Sequence, residues 1–435
     1  MSEKTLVGLD RRAFLKTTAA TLGTAALFSA ARAAFPGGAF AQTAGGPETT
    51  KAVLGFIALT DAAPLIVAKE KGFFEKHGMP DVEVAKQSSW GTTRDNLVLG
   101  SDGSGIDGAH ILTPMPYLMT AGAVTQNNQP LPMAILARLN LDGQGISVGS
   151  AYADLKVGLD ASVLRETFAK KKAEGAPAKV AMTFPGGTHD LWIRYWLAAG
   201  GIDPDTDVET IVVPPPQMVA NMKVGTMDAF CVGEPWNAQL VEQGIGYSAL
   251  TTGEIWNKHP EKSFAMRADW VEKNPKATLA LLMAVQEAAQ WADDMANKDE
   301  LADILSKRAW FNVKAADIGP RMKGVFDYGN GRVVEDSPHF MKFWRDQASY
   351  PFASHDAWFL TEDVRWGKLP AATDIKGMVA KVNRGDLWLE AAKALGLSDL
   401  PASPSRGPET FFDGKVFDPE NPEGYLASLA ITKIA

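Results

Sequence analysis

The chain has 435 residues, 46% hydrophobic and 22% charged, with a formal charge of −8. That length exceeds a single small core and points to two domains, and the acidic balance, with no basic run after the first residues, excludes nucleic acid as a partner. Cys231 stands alone, which excludes an internal disulfide or a multi-cysteine metal site.

The first forty residues read as an address rather than as structure. "DRRAFLK" (Asp10 to Lys16) sets paired arginines before Phe14 and Leu15, and the weakly apolar "TTAATLGTAALFSAA" follows. About fifteen residues broken by Thr and Gly are too short for a permanent membrane span. Small residues offer cleavage at "AFA" (Ala39 to Ala41) or at "ARA" (Ala31 to Ala33). The pattern is that of a twin-arginine signal covering 1–41, and no cysteine near either cut would carry a lipid anchor. Loss of 1–41 removes five basic and two acidic residues, for a mature charge of about −11. The expectation is a free periplasmic protein.

From Ala52 the chain runs through the strand "AVLGFIAL", the loop "TDAAP" and the helix "LIVAKEKGFFEKHG". The strand "VEVAK", the loop "QSSWGTTRD", a helix ending near Gly100 and the strand "GIDGAHIL" come next. The same plan returns at "KVAMTF", "PGGTHD", "LWIRYWLAAGG", "VETIVV", "PPPQ", "MVANMKVG" and "MDAFCVG". Strands alternating with helices predict parallel sheets with helical crossovers, hence an α/β chain of two lobes facing a cleft. Such sheets bind ligands beyond the carboxyl ends of their strands. The loops placed there are Thr60–Asp61, Gln87–Thr93, Thr113–Pro116, Gly186–His189, Pro214–Gln217 and Gly233–Pro235.

Between the repeats, "PMAILARLNLDGQGISV" predicts a strand, a tight glycine turn and a second extended segment. The return crossing falls in "KSFAMRADWV", and a helix begins at Pro275 with Asn274 as its cap. Lobe I is therefore assigned 42–149 and 264–435, lobe II 150–263, and the aromatic-rich C-terminal region is expected to wrap lobe I.

Enzyme signatures are missing. The six histidines form no metal spacing, and "GQGIS" lacks the third glycine of a dinucleotide loop. Cys231 sits in an apolar strand and reads as core, so no metal or cofactor is expected. Hydrogen-bond donors do occur in the cleft segments: Trp90, Gln144, His189 and Lys262. At "FPGGTHD", Thr188 would cap a helix whose free N–H groups suit an anion as readily as they suit a simple turn.

The runs "SSWGTTRDNLVLG", "ILARLNLDGQGISV", "TFPGGTHDLWIRYWLAAGGIDP", "VVPPPQMVANMKVGTMDAFCVGEPWN" and "TTGEIWNKHPEKSF" resemble the nitrate- and bicarbonate-binding proteins of ABC importers, across essentially the whole mature chain. The resemblance implies a two-lobed, type II-like periplasmic binding protein. It would act as a monomer, deliver a small oxyanion to an inner-membrane permease, and not be an enzyme. It also places the nitrate ligands on Trp90, Gln144, His189 and Lys262, with Gly233 beside them, and the helix start adds Thr188 to the candidates. Bicarbonate-binding relatives carry a carboxylate where Lys262 stands. Because adjacent side chains of an extended segment face opposite ways, only one of Glu261 and Lys262 should enter the cleft, and Lys262 is preferred. Bicarbonate, cyanate or a sensor role are the alternatives. Protonated His189 would add a second N–H, so its contribution should grow near and below pH ~6.5.

Overall fold

The structure is a computed structural model that describes residues 46–434. The twin-arginine signal and both cleavage sites lie outside the described residues. From Pro47 onward the chain forms one compact unit.

Two five-stranded sheets carry it. The first runs β2 (Asp81–Lys86), β1 (Lys51–Phe56), β3 (Gly108–Leu112), β10 (Lys262–Arg267) and β4 (Met133–Arg138). The second runs β7 (Glu209–Val212), β6 (Lys179–Met182), β8 (Ala229–Gly233), β5 (Gln144–Gly149) and β9 (Gly246–Thr251). In each, three strands from strand–helix units pair in parallel, and a fourth strand arriving from the other sheet inserts antiparallel. The predicted repeat is therefore present, strand for strand. β3, β6 and β8 are apolar runs buried almost throughout, as strands covered on both faces must be.

Four boundaries differ from expectation. Gln144–Gly149 pairs with β8 and β9, so the outgoing crossing lies at 139–143, not after 149. All of β10 pairs with β3 and β4, so the first sheet regains the chain at Lys262 rather than at 264. A glycine turn and a continuing apolar pattern do not by themselves reveal which sheet the next strand joins. Trp90 is not in a loop. The Ser89 side chain accepts the Thr92 N–H at 3.1 Å and starts the helix Trp90–Leu99 inside the expected loop of Gln87 to Asp95. Likewise Gly187, not Thr188, is the N-cap of the helix Thr188–Ala199.

The C-terminal region also departs from prediction. Trp358, Phe359, Trp366, Phe411, Phe417 and Tyr425 are buried in the core of the second sheet. Trp358, on the helix Ala353–Arg365, stacks on Trp192 at 4.7 Å. The helix Gly385–Ala394 packs instead on β4 of the first sheet. The segment thus braces both sheets rather than wrapping one, because its large aromatic rings need apolar area that each sheet offers on its outer side. Among the described residues, no helix is long and apolar enough to cross a membrane.

Candidate ligand-binding site

The two sheets meet at the carboxyl ends of β1, β3, β6 and β8. Thr60 N donates to Glu234 O at 2.8 Å, and Trp236 Nε1 donates to Ala58 O at 3.0 Å, so the loops after β1 and β8 are tied directly together. The glycines of "PGGTH" serve the same closure. Gly186 has φ +72°, and a Cβ on Gly187 would lie 2.6 Å from Leu112 Cδ1 at the end of β3. They let the mouth of the Thr188 helix approach the first sheet.

Against that mouth lies a fully buried polar cluster. Lys262 Nζ is 3.1 Å from Asp61 Oδ2, 2.6 Å from Glu261 Oε2, and 3.4 Å from both Gln144 Oε1 and His189 Nε2. Gln144 Nε2 donates to Asp61 Oδ2 at 3.0 Å, so its oxygen must take the His189 Nε2–H at 2.7 Å. His189 Nδ1 then accepts from Thr183 Oγ1 at 2.6 Å. Asp61 Oδ1 pairs with His110 Nε2 at 2.5 Å. Five elements converge here: the turn after β1, His110 on β3, the first residue of β5, the Thr188 helix and the first residue of β10.

Gly233 is the register partner of Gln144. A Cβ there would lie 2.6 Å from Gln144 Oε1 and 3.2 Å from Asp61 Oδ2, so glycine is what leaves room for the amide. Thr188 does not reach Lys262 itself; its hydroxyl donates to Glu261 Oε2 at 2.8 Å. Trp90 packs its ring 5.3 Å from that of His110. Its buried indole N–H has no hydrogen-bond partner. An unsatisfied buried donor costs about 1–3 kcal/mol, which an incoming acceptor would recover. Of the predicted cleft-lining side chains, Gln87 is instead tied to Asn96 at 2.6 Å.

Two expectations are overturned. Glu261 and Lys262 both face the cluster. Glu261 precedes the paired part of β10, and its carboxylate turns over the first helical turn, accepting from Thr188 and from Trp192 Nε1 at 2.5 Å. Strict alternation holds only inside the pleated strand. His189, in turn, is a neutral donor rather than a cation. Burial, reinforced by the charge of Lys262, holds its pKa well below the usual histidine range. Burial also works against Lys262, but Asp61 and Glu261 outweigh it and raise its pKa, so the ammonium is retained. Burial opposes ionisation of Asp61 as well, yet Lys262 and His110 hold it ionised far below the usual carboxylate range.

A family model described as the NMT1-like family matches residues 45–306, more than half of the chain. The chain belongs to the NMT1-like family. Similar to this NMT1-like protein is the nitrate/nitrite binding protein NrtA of Synechocystis sp., 66% identical over 391 residues, covering 89% of this chain and 86% of that one. The bicarbonate-binding protein CmpA of Synechococcus elongatus is 45% identical over 391 residues, covering 87% and 86%. The crystal structure of the periplasmic nitrate-binding protein NrtA from Synechocystis PCC 6803 matches with a TM-score of 0.87 at 65% identity. It covers 89% of this chain and all of that one, and shares its two-lobed fold.

Asp61 and His110 belong to the candidate site of this NMT1-like chain without a clear signal in its sequence. Asp61 was within a predicted cleft loop but offered no donor. His110 looked like one polar residue in an apolar strand, although a histidine in a strand buried on both faces needs a partner. Trp192 and Thr183 carried no separate signal.

Proposed function

We propose that this protein is a periplasmic receptor that binds nitrate, with nitrite as a second ligand, and delivers it as a monomer to an ABC permease, performing no chemistry on it. The carrying observation is the convergence of Gln144, His189 and Lys262 in one buried cluster, with the unpartnered indole N–H of Trp90 beside it. Nitrate is a planar monoanion with three acceptor oxygens and no proton. It therefore asks for donors and a fixed positive charge, and charge-assisted bonds are the stronger ones. Lys262 offers the charge, Trp90, Gln144 and His189 offer neutral N–H groups, and Thr188 and Gly233 shape the surroundings. The free N–H groups of the first turn add to this, since the first helical bond is Leu191 N to Gly187 O. Greater similarity to a nitrate-binding relative than to a bicarbonate-binding one favours the same ligand. The buried thiol of Cys231, its pKa raised by its surroundings, is a poor nucleophile, which suits a receptor.

Titration calorimetry with nitrate, nitrite, bicarbonate and cyanate tests this reading, with nitrate expected to bind tightest; preference for bicarbonate would overturn it. His189→Ala should weaken nitrate binding by about 1–3 kcal/mol. Because His189 is already neutral, that loss should be the same across roughly pH 6 to 8.

Export is read from Asp10 to Lys16. Arg11→Lys together with Arg12→Lys should leave the protein in the cytoplasm, since the translocase recognises the arginine pair rather than its charge. Fractionation showing undiminished periplasmic accumulation of the double variant would remove the twin-arginine assignment.

A further inference from the structure

Asp61 is a carboxylate that already occupies a set of anion donors. It accepts from Gln144 Nε2 at 3.0 Å and from Lys262 Nζ at 3.1 Å through one oxygen, and from His110 Nε2 through the other. The Ile57 backbone N–H points at His110 Nδ1 at 3.4 Å, which leaves the ring proton on Nε2 and makes His110 a neutral donor to Asp61. A carboxylate and nitrate are both trigonal, planar and monoanionic, so whatever cradles one suits the other.

The charge balance sharpens the point. One ammonium, Lys262, faces two carboxylates, Asp61 and Glu261, and all three side chains are sealed from solvent. Both flanking histidines are held toward neutrality by burial, so the cluster is net negative before any ligand arrives. The two carboxylates are not equivalent. Glu261 is pinned to the helix by Thr188 and Trp192, and it accepts no hydrogen bond from Gln144 or His189. Asp61 bonds the very groups assigned to the ligand.

We propose that Asp61 is a resident anion of the binding site, competing with the ligand for the donors of Gln144 and Lys262 and so restricting the site to monoanions. This rests on the reading of the cluster as an oxyanion site. An entering monoanion must share Lys262 with Asp61, and a dianion would add a second uncompensated charge in a buried space, where little solvent screens it.

Asp61→Asn keeps the shape and one acceptor oxygen but removes the charge. It should bind nitrate about tenfold or more tighter than the parent and acquire measurable binding of sulfate, a dianion. Glu261→Gln removes the same charge without freeing Gln144, and should give the smaller gain. Nitrate binding by folded Asp61→Asn that equals or falls below the parent's would make Asp61 a structural counter-ion and overturn the proposal. If Asp61→Asn does not fold, infrared difference spectra of the parent with and without nitrate decide instead: the aspartate carboxylate bands must shift as Asp61 loses its share of Lys262, and unshifted bands reject the idea. A separate probe keeps this distinct from the nitrate reading. Formate should raise the unfolding temperature of Asp61→Ala by more than that of the parent, because it fills the place of the removed carboxylate. A parent that ignores nitrate while Asp61→Ala takes formate would sink the proposed ligand and leave the resident anion standing.

Discussion

Lys262→Glu should abolish nitrate binding and destabilise the fold together. The parent cluster holds Lys262 Nζ within 3.1 Å of Asp61 and 2.6 Å of Glu261. The variant would crowd three carboxylates into a volume with no exposed surface. Removing one partner of a buried, hydrogen-bonded charge pair typically costs about 3–5 kcal/mol, and charge reversal should exceed that. At pH 7 the protein would respond by keeping protons on the carboxylates, but with the ammonium gone no positive charge remains to attract the anion. Calorimetry reports the first loss and urea denaturation the second. Lys262→Arg, which keeps the charge, should retain part of the binding and so separates loss of charge from loss of fold. A Lys262→Glu protein that takes up nitrate like its parent would show Lys262 to be a spectator, and the preference for nitrate over bicarbonate would lose its electrostatic basis.

Arg138→Leu should cost about 3–5 kcal/mol of stability by stranding Asp356. Arg138, at the end of β4, pairs its Nη2 with Asp356 Oδ1 at 2.5 Å and gives its Nη1 to Thr113 and to Ser263 Oγ at 2.6 Å. Asp356 also accepts from Tyr117 at 2.7 Å and Asn383 at 2.6 Å. This network fastens the helix Ala353–Arg365 to the first sheet, while Thr113 also donates to the Glu261 carbonyl. Nitrate affinity should therefore fall along with stability. Adding Asp356→Asn removes the stranded charge and should restore part of the loss. A single variant that unfolds within about 1 kcal/mol of the parent would mean that Asp356 is indifferent to Arg138.

Much of the site was readable in the chain because its donors follow glycine- and turn-rich segments at strand ends, where an alternating α/β plan puts ligand contacts. Gln144, His189 and Lys262 stand in such segments, and the structure brings them into one cluster. Thr188 and Gly233 touch the cluster at one remove, through Glu261 and through the space left for Gln144. Local pattern also carried the repeat of strands β1–β3 in β6–β8, since hydrophobic runs and their breaks are properties of contiguous residues.

What the chain could not reveal depends on groups far apart in sequence. The protonation of His189 follows from burial and from Lys262, 73 residues away. Asp61 becomes a resident anion only because β3 brings His110 beside it and β5 and β10 bring Gln144 and Lys262. Glu261 turns inward because Trp192 and Thr188, one helical turn apart, present two donors to it. The sheet that β5 joins, and the core that receives Trp358 and Phe411, are choices among several apolar surfaces of similar chemistry. Periodicity tells a residue which way to face along its own strand or helix, whereas its partner, its charge state and its freedom to meet a ligand are set by whatever the folded chain packs against it.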